Sequence, residues 1–239
     1  MTRPIKKTGY NQGIYEISSS QRERLGLLRI LSDGRKFRYA KAGAANLATG
    51  KLACAAPIAA AVVNAACPIA AVGSRVLSLT ISSATYIQDY FAGGYLQIND
   101  TGAQYEITGS TAVVASTAIT VSLEDPLKVA LTASKEFTLV HSPWMAVVEL
   151  ASGTLVGQPA GVSPVDVTAA YFYWAQTGGM ACCLEDGTPA AGQMLCPGTT
   201  AGALAIMSTT FNPLIPFVAY QGQIVGVNAQ YKPVFLVID

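Results

Sequence analysis

The chain has 239 residues, of which 51% are apolar and 12% charged, with a net charge of +1. That length suits one large β domain or two small ones and is enough to bury a core. The charge content is about half the usual ~25%, which points to a surface partly covered by partners or dressed in Ser, Thr, Gln and Asn. Five cysteines (Cys54, Cys67, Cys182, Cys183, Cys196) make an odd set with one vicinal pair and no CxxC, and His141 is the only histidine. This excludes a disulfide framework and a zinc site and predicts free, mostly buried thiols made in a reducing cytoplasm.

The basic residues are unevenly placed. Residues 1–41 hold ten of the fifteen Lys and Arg but three of the fourteen acids, so they carry a surplus of seven positive charges and the remainder a surplus of six negative ones. Residues 1–32 accordingly read as an extended basic arm. Its Arg3, Lys6, Lys7, Arg22 and Arg24 are candidates to contact an acidic neighbour, such as the body of another copy. A short apolar run, Leu27–Leu31, then pairs as a strand; Asp33-Gly34 is a turn, and Lys36–Ala42 reads as the next strand. The uncharged stretch Leu52–Val72 is mostly alanine, and Pro57 and Pro68 break it, so no membrane span is expected there.

From about 74 to 141 apolar and polar residues alternate between turns, the pattern of a half-buried sheet. Arg75–Ile81, Tyr95–Ile98, Gln104–Ile107, Ala118–Leu123 and Glu136–Val140 read as strands, and residues 83–91 as one short helix. Asn99-Asp100-Thr101-Gly102 is a hairpin turn, and Glu124-Asp125-Pro126 a corner. The last third is crowded with Gly and Pro. Its strands are Ala169–Gln176, Met180–Leu184, Gln193–Cys196 and Val234–Ile238, with Gly178-Gly179 as the sharp turn joining the first two. The fold is therefore all-β: a barrel or sandwich body from 33–73 and 142–239, an extended N-terminal arm, and 74–141 as a second β lobe or insertion. An internal echo spans the body. Phe37-Arg-Tyr-Ala-Lys-Ala-Gly43 matches Phe172-Tyr-Trp-Ala-Gln-Thr-Gly178, and Gly50-Lys-Leu-Ala-Cys54 matches Gly192-Gln-Met-Leu-Cys196. Duplication and chance similarity in an Ala/Gly-rich chain both account for it.

Chemical motifs are scarce. His141 ends a strand and has no G-x-S-x-G elbow to serve. The pairs Glu124/Asp125 and Glu185/Asp186 precede turn residues, and neighbours on a strand point to opposite faces. A glycosidase-like pair is therefore disfavoured, as are nucleotide and calcium loops. No catalytic residue, metal or cofactor is expected. The run Tyr171-Phe172-Tyr173-Trp174 should be the structural centre of the C-terminal half. Phe172 and Trp174 would fill the core, and Tyr171 and Tyr173 would meet a partner, with stacking on carbohydrate or bases as the alternative.

Three stretches, DGRKFRYAKAGAANLATGKL (33–52), YFAGGYLQINDTGAQYEITG (90–109) and the run from Tyr171 through GTTAGAL (198–204), resemble virion structural proteins of tailed phages, of the capsid decoration or cement type. They cover a little under a third of the chain. The resemblance implies a non-enzymatic β protein on the capsid exterior, made in the host cytoplasm. It would stabilise the shell by bridging capsid subunits. Its partners would be the major capsid protein and copies of itself, with a trimer favoured, no membrane, and nucleic acid disfavoured. A tail, portal-vertex or fibre component that binds a host surface is the alternative, and a polysaccharide hydrolase a more distant one.

Overall fold

Sixteen strands and one three-residue 3-10 turn (Ala60–Val62) make up the regular structure of the computed structural model, which describes residues 9–151, 156–207 and 216–239. The strands are β1 (Leu28–Ile30), β2 (Lys36–Lys41), β3 (Leu52–Cys54), β4 (Ala65–Ala66), β5 (Val76–Tyr86), β6 (Tyr95–Ile98), β7 (Ala103–Ser110), β8 (Val113–Leu123), β9 (Glu136–Val140), β10 (Val148–Glu149), β11 (Pro159–Val162), β12 (Phe172–Asp186), β13 (Met194–Pro197), β14 (Leu204–Ile206), β15 (Ala219–Gln221) and β16 (Tyr231–Val237). The fold is all-β. No helix among the described residues is long and apolar enough to cross a membrane; the alanine-rich stretch supplies β3, the 3-10 turn and β4.

The chain divides into two units, 1–56 with 143–239 (unit 1) and 57–142 (unit 2). Residues 57–73 thus belong with the middle of the chain and not with the body that the sequence suggests. Val62 and Cys67 are buried in the unit 2 core, and β4 pairs with β9.

Unit 2 is one six-stranded sheet in the order β4-β9-β6-β7-β8-β5. Alternate residues feed one core: Leu77, Leu79 and Ile81 on β5, Leu96 and Ile98 on β6, and Phe137 and Leu139 on β9. A single sheet with one apolar face hides that face by curling upon itself. The proposed helix at 83–91 is absent. β5 runs on to Tyr86, and a turn follows in which Asp89 (φ 59) accepts a hydrogen bond from the Ser110 N–H at 3.0 Å. Ser82, Ser83 and Thr85 serve an exposed ribbon as readily as a helix face.

Unit 1 is organised by β12, fifteen residues long. Its C-terminal half closes a ring, β12-β14-β13-β15-β16 and back to β12, around Ala181, Cys183, Leu195, Leu204, Val218, Val234 and Leu236. Its N-terminal half lies between β2 and β11. The hairpin expected at Gly178-Gly179 does not form. Here one edge of β12 changes partner, from β2 (Gly178 opposite Lys36) to β16 (Gly178 opposite Val237), with a register shift beside it. A Cβ on Gly179, which has φ +80, would stand 3.0 Å from Arg35 Cα. The double glycine serves close approach of three strands, not reversal.

The two echo segments are neighbours. Phe172 lies opposite Lys41, Trp174 opposite Tyr39 and Gln176 opposite Phe37. The antiparallel ladder is thus centred on Tyr39 and Trp174, the matching third positions of the two phrases, and the echo coincides with a local twofold.

The described part of the N-terminal segment is not a free arm. Tyr10, Ile14, Leu25, Leu27 and Leu31 pack over Phe37, Tyr39, Phe172 and Trp174. Tyr10 meets Trp174 edge-on at 5.3 Å, Gln12 Nε2 donates to the Phe172 carbonyl at 3.0 Å, and the Trp174 indole N–H donates to the Gln12 carbonyl at 3.1 Å. Arg29 is engaged too: it lies 4.5 Å over the Tyr10 ring and donates to the Gln12 carbonyl at 2.9 Å. Covering a large aromatic face wins over the solvation of a mobile tail, because each buried large side chain contributes about 1.5–3 kcal/mol.

Candidate interaction surface

Alternation along the ring strands of unit 1 sends one set of side chains inward and the other outward. On β12 the inward set is Ala181, Cys183 and Glu185 and the outward set Met180, Cys182 and Leu184; on β16 Val234 and Leu236 face in, and Tyr231, Pro233 and Phe235 face out. The outward set is apolar as well. Four of its members fall on one register row: Met180 lies opposite Phe235, Phe235 opposite Tyr220, and Tyr220 opposite Met194. They are 47, 47, 40 and 45% exposed. The row follows the outside of the ring across four hydrogen-bonded strands, and Phe217 leans on Tyr220 at 4.8 Å. At its Met180 end a shallow cleft of about 220 Å³ is lined in part by Tyr15, Arg35, Gln176 and Cys182. The polar groups there are spent internally. Arg35 pairs with Asp33 at 2.7 Å and donates to the Tyr15 hydroxyl at 3.3 Å, and Gln176 donates to the Met180 carbonyl at 2.8 Å.

The residues singled out in the sequence lie elsewhere. Arg3, Lys6 and Lys7 fall outside the described residues. Arg22 and Arg24 are exposed; the Arg22 N–H donates to the Tyr39 hydroxyl at 3.0 Å, which ties this stretch to its own unit. Tyr173 is fully buried and Tyr171 half-buried, both against Ala40, Leu47, Val147 and Val167. The expected faces are therefore right and their covers are not. Phe172 and Trp174 do share one side and Tyr173 takes the other, but both sides are closed by unit 1 itself. The rings of Phe172, Tyr173 and Trp174 are not available for stacking.

The candidate acids are separated by environment. Glu185 is fully buried; its Oε2 accepts from the Val227 N–H at 2.7 Å and its Oε1 has no partner. Asp186 accepts from the Thr199 N–H and hydroxyl and the Thr200 N–H at 2.7–2.9 Å, and the Thr199 hydroxyl holds its carboxyl below the usual range. Glu124 and Asp125 are exposed. His141 is buried, donates from Nδ1 to the Ser142 carbonyl at 2.9 Å, and lies edge-on to Tyr90. All five cysteines are free. Cys182 is exposed, whereas burial raises the Cys183 thiol far above its ordinary value.

Unit 2 has apolar exposure of its own. Ile69, Val72 and Val76 are 86, 60 and 62% exposed within eight consecutive residues. Sequence reasoning missed both surfaces. The row was hidden because an all-apolar run such as Val234–Val237 reads as a strand covered on both sides, and only ring closure leaves one side outside. No family model, no curated protein and no solved structure matches the chain.

Proposed function

We propose that the chain is a non-enzymatic structural protein of a phage particle, of the capsid decoration or cement type, which stiffens the shell by bridging neighbouring subunits. The observation that supports this reading is that each unit bears its own exposed apolar surface, the four-residue row on unit 1 and Ile69, Val72 and Val76 on unit 2. A bridging protein needs two contact surfaces, and exposed apolar patches mark contact sites. Each contact is modest, and repetition around a symmetric shell multiplies it. The phage-like phrases lie in the elements that build both units, β2, β12 and the turn between β6 and β7. In this reading the unit 2 surface meets the major capsid protein.

The test is cosedimentation of the purified full chain with shells of the major capsid protein encoded in the same genome. The wild type binds and raises the temperature at which shells disrupt. Ile69→Glu with Val72→Glu loses binding at unchanged melting temperature. A wild type that does not bind shells, or that is recovered with tails, overturns the reading; the second result favours the host-binding alternative.

A further inference from the structure

We infer that one end of the unit 1 ring is a binding site for a monovalent cation of sodium's size, held between Glu185 and Gln221 and covered by residues 222–230. The inference goes beyond the capsid reading and does not depend on it. It rests on two buried oxygens that no donor serves among the described residues. Glu185 is fully buried and its Oε1 has no partner; Gln221 is 3% exposed and its Oε1 has none either. A bare buried acceptor is costly, and a bare carboxylate more so.

The strand registers bring the two oxygens together. Carried round the ring, they lead from Glu185 to Leu204, Pro197, Phe217, Ile238 and back to β12 at Thr177, eight residues before the start. Such a stagger tilts the strands, so that positions at one level shift by about 1.6 residues per strand against the register. Gln221 on β15 and Lys232 on β16 thereby come to the level of Glu185 on β12. Alternation points Glu185 inward with Ala181 and Cys183, and Gln221 inward with Ala219. A barrel of about eight strands is just filled by its own side chains, so two long ones at one level of a narrower ring meet near its axis.

One connection covers both side chains. The Val227 N–H donates to Glu185 Oε2 at 2.7 Å, and Gln221 Nε2 donates to the Ile224 carbonyl at 3.2 Å. Gly226 lies flat on the carboxylate, where a Cβ would overlap Oε2 and the Pro189 ring, and its N–H donates to the Pro189 carbonyl at 2.7 Å. The amide nitrogen and one carboxylate oxygen are thus spent on the connection, and what faces the axis is oxygen without hydrogen. Two acceptors cannot bond to each other, but they can share a cation, and an all-oxygen donor set suits a hard one. Glu185 balances one positive charge, since Asp186 turns its carboxylate onto Thr199 and Thr200. Lys232 is half-exposed and pairs with no carboxylate among the described residues. Its ammonium disfavours a divalent ion at this level and is an internal rival for Glu185.

The experiment is equilibrium unfolding of the full chain in urea over a series of sodium chloride concentrations, with choline chloride holding the ionic strength constant. The wild type gains stability as one-site linkage requires: once the site fills, its unfolding constant falls about tenfold for each tenfold rise in sodium. Glu185→Gln keeps the shape, offers an amide N–H to Gln221 Oε1 and loses the sodium response. Lys232→Met removes the rival charge, so its response begins at lower sodium. The line width of the sodium NMR signal reads binding directly: the folded wild type broadens it and Glu185→Gln does not. If Glu185→Gln folds poorly, Gln221→Met, which removes the other oxygen at similar volume, takes its place in both measurements. A wild type equally stable in sodium and in choline overturns the inference, since water or a proton then serves the two oxygens. So does a sodium response that survives Glu185→Gln, or stabilisation by calcium chloride and not by sodium. A Lys232→Met variant that unfolds early and ignores sodium also overturns it, because the lysine is then what neutralises Glu185.

Discussion

Unit 2 is drawn from one stretch of chain, and β6, β7 and β8 follow one another in sequence and in space. Unit 1 is drawn from two stretches, and its central strand, β12, has β2 on one edge and the C-terminal β16 farther along that same edge. Unit 2 has one core fed by alternating residues. Unit 1 has three: the interior of the ring, the Tyr173 side of β12, and the Phe172–Trp174 side that the N-terminal segment covers. The difference teaches that a local sheet carries its instructions strand by strand. A sheet assembled from both chain ends depends on contacts that no window of sequence contains.

Matched core truncations test that contrast most strongly. Trp174→Ala in unit 1 and Phe137→Ala in unit 2 each remove a fully buried ring, at a cost of about 3–5 kcal/mol. Calorimetry should show each substitution lowering one transition and sparing the other. Equal shifts of a single transition would show that the units unfold as one body and break the comparison. Deleting residues 1–25 comes next. It strips Tyr10, Ile14 and Leu25 from the aromatic face and should destabilise unit 1 by about 3 kcal/mol, while unit 2 melts as before. An unchanged unit 1 would restore the free arm that composition suggests.

Two hydroxyls sharpen the account of unit 1. The Tyr39 hydroxyl donates to Gln12 Oε1 at 2.7 Å and accepts from the Arg22 N–H, so Tyr39→Phe should lose about 1–2 kcal/mol. The Tyr173 hydroxyl is buried without a partner, so Tyr173→Phe should be neutral or gain up to about 1 kcal/mol. Denaturant midpoints of the two variants should move in opposite directions, or only the first should move.

Smaller still is the pair that ties down the C-terminus. The Arg38 guanidinium lowers the Asp239 carboxyl below its ordinary value. A carboxyl lowered on folding adds stability above its unfolded value of about 3.9, and that stability is lost as pH falls through the folded value. The pair is partly exposed, so its contribution is under about 1 kcal/mol. Asp239→Asn should lower the neutral plateau by that small amount, leave stability unmoved well below about pH 4, and so flatten the acid limb of a pH–stability curve. Thiol labelling should cost no stability at all: Cys182 reacts in the native chain, and Cys54, Cys67, Cys183 and Cys196, all buried, react after unfolding.

Legibility followed the same division. Tyr95–Ile98 and Glu136–Val140 were readable to the residue, because period two and a turn at 99–102 admit one solution. In unit 1 the presence of strands was readable and their partners were not. Gly178-Gly179 has the composition of a turn and the job of a crossing, which only Arg35, Lys36 and Val237 reveal. The phrase shared by 37–43 and 172–178 was visible as text, yet nothing in the text says that the two copies lie side by side. Of the candidate contact residues, Tyr173 faces away from Phe172 and Trp174 as expected, and Tyr171, just before β12, packs on the same side, but the cover is unit 1 and not a partner. The outer row was invisible, since being outside is a property of ring closure and not of any one strand.

Both tryptophans of the chain lie in unit 1, and both touch the N-terminal segment. Trp174 carries Tyr10, Gln12 and Arg29, and Gly26 sits so close to the Trp144 ring that a Cβ there would stand 2.7 Å from it. Residues 57–142 hold tyrosine and phenylalanine but no tryptophan. Indole emission is therefore a private optical channel. It reports the docking of residues 10–31 and is blind to the middle of the chain, so lifting of that segment would redden the emission whether or not unit 2 has unfolded.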